Sequence, residues 1–133
     1  MSQQNVEVAR QAYDAYNREG INGILEYLDP DVEWRNPADA PIAGLFVGHA
    51  GVVEWQRLTD EVWDEVHLEP VRINELPDGR VLAIVRLRFR ARAHEIDMEV
   101  PFAHLITIRG GKATALSMYT SEAAALEAAG LAE

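Results

Sequence analysis

The 133-residue chain has no cysteine. That excludes disulfides, thiolate metal sites and thiol nucleophiles, and it fits a reducing compartment. No apolar run approaches the length of a membrane span, and the opening "MSQQNVEVARQAY" has no basic stretch leading into an apolar one. A cytoplasmic protein with no membrane partner is expected. Positive charge is scarce too: 12 Lys and Arg against 22 Asp and Glu leave a formal net charge of -10. Such a balance repels a polyanion at long range, so no nucleic-acid partner is expected. The four histidines never fall at a ligand spacing such as His-x-His, which argues against a metal site. Nucleophile elbows, phosphate loops and dinucleotide fingerprints are also missing, and "RGGK" reads as a hairpin turn; no cofactor is expected.

What is present suffices for one core. With 48% hydrophobic residues, 1–133 reads as a single domain. Val6, Ala9, Tyr13 and Tyr16 are spaced for one face of a helix over residues 3–18, closed by Gly20. Ile21, Ile24, Leu25 and Leu28 predict a second, short helix that Pro30 stops. "DVEWRNP" predicts a short strand entering a loop punctuated by Pro37, Pro41, Gly44 and Gly48, long enough to be a lid or rim. Helical spacing returns from His49 to about Asp64, with Val52, Trp55, Leu58, Thr59 and Val62 on one stripe and Trp63 near its end. Period-two alternation then predicts four successive antiparallel strands separated by "PDG" and "RGG" turns. "SEAAALEAAG" predicts a small last helix, capped by Ser121 and closed at Gly130. Helices first and strands afterwards indicate an α+β fold.

The stretch "VRLRFRARAHEIDMEV" puts an arginine at every second position and then acids at every second position. If a hairpin turns at Ala93 and His94, Arg92, Arg90 and Arg88 face Glu95, Asp97 and Glu99, while Leu87, Phe89 and Ala91 meet Val100, Met98 and Ile96. A slip of one residue would set arginine against methionine and valine. One surface is therefore ionic, facing water or another subunit, and the other is covered by helices. His104 has the parity of Met98, Val100 and Phe102, so one imidazole is expected to project into an apolar interior. Across the "RGG" turn, Leu116 and Met118 should lie beside His104 and Phe102, with Tyr119 pointing away.

Three segments, "RQAYDAYNREGINGILEYLDPDVEWRNP", "GLFVGHAGVVEWQ" and "PFAHLITIRGGKATALSMYT", together resemble the nuclear transport factor 2-like superfamily, and more narrowly its SnoaL-like group. The resemblance spans nearly the whole chain. It implies a cone-shaped, curved, antiparallel-rich sheet wrapped around N-terminal helices, with an internal pocket and commonly a homodimer through the sheet. Relatives include ketosteroid isomerases, polyketide cyclases, limonene-type epoxide hydrolases and proteins that only bind or scaffold, so the fold leaves the reaction open. The carry-over of functional residues is largely a record of absences. Asn36 stands where ketosteroid isomerases have a catalytic aspartate, and His104 where they have a proton-donating one. Their helix-one tyrosine falls near Ala12, with Tyr13 and Tyr16 as neighbours. Met118 occupies the last-strand aspartate position of both the epoxide hydrolases and the cyclases, whereas His104 matches the histidine of the cyclases.

These placements nominate His104, Asn36 and Tyr13 as catalytic, with Trp34, Tyr16, Trp55, Phe89, Met98, Phe102 and Met118 shaping a binding cavity. His104 reads either as an acid or base or as a core histidine satisfied by a backbone group or a tyrosine hydroxyl. Without a carboxylate beside it, burial would keep it neutral. Asn36 either donates to a ligand carbonyl or starts a turn as "NP". Trp63 reads as core, and His49 as capping or orienting its loop. The functional expectation is a cofactor-independent isomerase, cyclase or hydrolase acting by proton transfer on a small apolar carbonyl metabolite. The alternative is a non-catalytic module that binds a small molecule or dimerises.

Overall fold

The protein is described by a computed structural model covering residues 2–38, 40, 42–91 and 97–130, with only the backbone described for residues 2, 3, 91, 97 and 98. The expected apolar stripe forms helix α1, Ser2–Glu19, and buries Ala9, Tyr13 and Tyr16. Gly20 ends it at a φ of 71°, where its N–H still reaches the Tyr16 carbonyl at 2.8 Å. Helix α2, Ile21–Ile24, continues into a 3-10 turn, Leu25–Tyr27.

Strand β1 then runs Leu28–Asn36, so Pro30 lies inside a strand and does not terminate a helix. A proline φ suits extended backbone, and the missing N–H falls in an irregularity of the ladder between Leu28 and Glu33. Part of the expected loop is ordered as strand β2, Gly44–Val47, which pairs antiparallel with β1. Helix α3 spans Gly48–Val62 and buries Val52 and Thr59. Trp63, assigned to this helix from spacing, instead opens strand β3, Trp63–Glu75. Pairing with Ala91 and a ring contact with Phe89 at 4.1 Å hold it extended, so tertiary contacts override the helical pattern.

Strands β4, Val81–Ala91, β5, Asp97–Arg109, and β6, Lys112–Tyr119, complete the meander. The β5–β6 turn is Gly110-Gly111 with φ of 57° and 79°, the positive pair that a two-residue hairpin loop requires. The six-stranded sheet has the order β2-β1-β6-β5-β4-β3, antiparallel except where β1 lies parallel to β6. Helix α4, Glu122–Ala128, follows; Ser121 Oγ accepts from the Ala124 N–H at 3.1 Å, the expected cap.

The β4–β5 register matches the charge pattern. Arg88 faces Glu99 and Arg90 faces Asp97, while Leu87 meets Val100 and Phe89 meets Met98. The proposed turn at Ala93 and His94 lies outside the described residues. The ladder also extends to a third strand: Arg86 bridges Glu69 of β3 and Glu99 of β5, both at 3.1 Å. The side chains of Glu69, Arg86, Arg88 and Glu99 are about half exposed, so their pairs specify register more than they stabilise. The outer face is not ionic throughout. Toward its other end α4 covers Leu82, Ala103 and Leu105, with Tyr119 among them and turned away from the core. The main core lies on the inner face, under α1 and α3. No helix among the described residues is long and apolar enough to cross a membrane.

Edge strand β3 would expose an unpaired row of backbone groups. At Leu68 the side chain of Asn17 answers it, donating to the carbonyl at 2.7 Å and accepting from the N–H at 2.9 Å. An amide thus takes the place of a neighbouring strand and ties α1 to the sheet. Replacing Asn17 with alanine leaves both backbone groups partly buried without partners. The expected cost is about 1 to 3 kcal/mol, read as a lower urea midpoint at unchanged slope.

Candidate functional site

Between the inner face of the sheet and α3 lies a cavity of about 300 Å3. This is the small end of the range for ligand pockets. Its walls are mainly apolar, and all three tryptophans, Trp34, Trp55 and Trp63, reach it together with Phe89 and Phe102. Trp34 and Trp55 pack with ring centroids 4.9 Å apart, tilted by 44°. The polar lining residues are Asn36, Thr59, His104 and Thr120; no Asp, Glu, Lys or Arg among the described residues lines the cavity.

Sheet register gathers the polar groups. Met118 of β6 pairs with His104 of β5, and Arg35 of β1 pairs with Ser117, which sets Asn36 level with Met118. Asn36, Met118 and His104 therefore form one row across three neighbouring strands. Leu116 pairs with Ile106, so β6 lies two residues from the expected register on the expected face.

His104 is 4% exposed. Its Nδ1 lies 2.6 Å from the hydroxyl of Tyr13, and Phe102 meets its ring edge to face at 4.8 Å. Burial pushes the imidazole pKa down to about 3, and the same desolvation holds the Tyr13 phenol far above its ordinary value. Both groups are neutral at pH 7. The buried phenol needs an acceptor, and Nδ1 is its only partner among the described residues. The arrangement that leaves no proton stranded has Tyr13 O–H donating to Nδ1, with the ring hydrogen on Nε2. Nε2 has no protein partner among the described residues and is not a sealed atom, so it is the edge offered to the cavity. The Tyr13–His104 pair thus presents a neutral N–H donor.

Asn36, 7% exposed, donates from Nδ2 to the Ile42 carbonyl at 2.8 Å. Tyr13 and Tyr16 are not lining residues. Tyr13 sits behind His104, and the Tyr16 hydroxyl is turned to Gln56 Oε1 at 2.9 Å, behind Trp55. Gln56 in turn donates to Asp60 at 2.7 Å. His49 contacts the Leu28 carbonyl at 2.9 Å, joining the start of α3 to β1. Of the residues nominated from sequence, Trp34, Asn36, Trp55, Phe89, Phe102, His104 and Met118 line the cavity. The side chain of Met98 lies outside the described residues. Among the lining residues that sequence reasoning missed are Trp63, Ile42 and Thr120. None of the three carried a sequence signal: Trp63 shares a face with Val66 and Leu68 only because of the ladder irregularity between Trp63 and Glu65.

Residues 9–116 match the family model described as a SnoaL-like domain. An uncharacterized protein of Mycobacterium tuberculosis strain H37Rv, Rv0034, is 32% identical over 126 residues, covering 92% of this chain and 93% of its own length. Among solved structures, TerC co-crystallized with polyporic acid superposes with a TM-score of 0.78 at 28% identity, covering 93% of this chain and 96% of TerC. A Catenulispora acidiphila protein with a ketosteroid isomerase-like fold, in complex with trimethylamine, reaches a TM-score of 0.74 at 21% identity over 94% and 93% of the two chains. At that identity the likeness attests the fold.

Proposed function

The chain belongs to the SnoaL-like domain family, and from that premise we propose that it holds a small apolar carbonyl metabolite, polyketide-like or terpenoid, whose oxygen accepts a hydrogen bond from His104 Nε2–H. The observation that carries this reading is the Tyr13–His104 pair, which sets a neutral donor in a mainly aromatic and aliphatic cavity. The co-crystal of TerC with polyporic acid supports a small organic ligand. A neutral N–H aimed at an oxygen stabilises negative charge that develops there, as in isomerisation or ring closure through an enolate. With a pKa of about 3 the imidazole is a poor base at pH 7, so its role is donor and polariser.

A second reading, a binding module without chemistry, rests on one observation: no carboxylate among the described residues lines the cavity to take a proton from carbon or to activate water. Turnover assays on whatever binds separate the two. Titration calorimetry with acetylnaphthalene as the carbonyl probe tests their common ground. The Tyr13→Phe/His104→Leu double variant should bind roughly tenfold more weakly. Wild-type affinity should stay level from about pH 5 to pH 8, because the imidazole stays neutral throughout. An affinity that changes through the ordinary histidine range would overturn the neutral-donor assignment. We also propose a homodimer through the outer face, where acids of β3 and β5 flank the β4 arginines in rows suited to a second copy. The mass in solution checks it, and a strict monomer refutes it.

A further inference from the structure

We infer that Asn36 determines specificity by accepting a hydrogen bond from the ligand, so that the cavity selects uncharged compounds with a hydroxyl or N–H at one end and a carbonyl at the other. This rests on the reading of His104 as the donor to the carbonyl oxygen. The orientation of the Asn36 amide follows from its bond to the Ile42 carbonyl, which only the NH2 end can make. Oδ1 is therefore the opposite end. It has no partner among the described residues, and it is not a sealed atom of this buried lining residue. An acceptor left open at a cavity wall costs free energy unless a ligand or water donates to it.

The placement of Asn36 and His104 sets the ligand's dimensions. They stand on one face in one row, with Met118 between them, two strand spacings apart. That separates their Cα atoms by about 10 Å. A flat molecule lying over Met118, between the aromatic walls, meets a donor at one end and an acceptor at the other.

The same walls decide the ligand's charge state. With no lysine or arginine among the described lining residues, an ionised ligand would give up its hydration for no counter-charge. The net charge of -10 works against an anion at longer range as well. An ionised hydroxyl would also face Asn36 Oδ1 as acceptor against acceptor.

The test is titration calorimetry of the whole chain with acetylnaphthalene, a set of acetylnaphthol isomers and their methyl ethers. The tightest acetylnaphthol should bind at least about tenfold better than its own methyl ether and than acetylnaphthalene. Its affinity should fall about tenfold per pH unit above the naphthol's own pKa, since only the un-ionised fraction binds, while acetylnaphthalene stays level. Asn36→Leu should erase the preference for the naphthol over its methyl ether and over acetylnaphthalene. If that variant does not fold, the two wild-type comparisons decide by themselves. Acetylnaphthalene binding without preference for any naphthol, or tighter binding of a naphtholate, overturns the role of Asn36 and leaves the His104 reading standing. If neither the ketone nor any naphthol binds, both fall.

Discussion

Lowering the pH from 7 to 4 should cost the wild-type protein stability that a Tyr13→Phe/His104→Leu double variant keeps. The folded-state pKa of His104, about 3, lies below the 6.5 of an exposed imidazole. Above pH 6.5 the ring is neutral in both states and burial carries no protonation cost. Below it the unfolded chain takes up a proton that the folded one refuses, so stability falls by roughly 1.4 kcal/mol per pH unit until the folded pKa is reached. By pH 4 the difference between wild type and variant should approach about 3 kcal/mol. The acids whose pKa values are lowered by ion pairing, Glu54 beside Arg57 and Asp78 beside Arg80, are at the surface in both proteins and cancel in the comparison. Replacing both partners together leaves no stranded donor or acceptor, so the variant should be close to wild type at pH 7.5. Urea midpoints at several pH values measure the effect. Parallel curves would mean that His104 takes its proton without leaving the core.

The second large effect is expected at Trp34. It is 2% exposed, joins the main core and forms the wall on which Trp55 packs. Trp34→Ala should cost about 3 to 5 kcal/mol, a large share of the 5 to 15 kcal/mol typical of a domain. The vacated volume adjoins the existing cavity. Bulkier ketones should therefore gain affinity relative to acetylnaphthalene, if the variant is assayed well below its melting temperature. Denaturant unfolding gives the first quantity and competitive calorimetry the second. A loss under about 1 kcal/mol would show that Trp55 moves into the space.

Much of the sheet was legible because its signal is redundant. The arginines of β4 and acids of β5 agree with the apolar residues between them on a single register, and that register places His104 inside. The cap at Ser121 and the two-glycine turn were legible because each residue type meets a local backbone need. Elements decided by distant contacts were not. Helical spacing runs on past Val62, yet Trp63 leaves the helix because Ala91 and Phe89, far along the chain, hold it extended. Pro30 reads as a stop, yet the sheet tolerates it where its ladder is irregular. At the site, parity identified the face of His104 and Met118, the family resemblance pointed to Asn36, and neither could rank Tyr13 against Tyr16. Both are buried on one helix, and only the partner across the core, His104 for one and Gln56 for the other, tells them apart. The Asn17 clasp on β3 had no sequence signal, since an asparagine near a helix end is commonplace.

The parallel pairing of β1 with β6 bears on the order of assembly. Asn36 emerges from the ribosome long before His104, and the two become neighbours only after β6 has slid in between them. A chain halted before Lys112 owns both polar poles and most of the aromatic wall, yet has no means of aligning them. Pairings between residues so far apart in sequence are slow to find. The binding chamber is accordingly expected to close last during refolding, so that recovery of ligand binding trails the return of the far-ultraviolet dichroism.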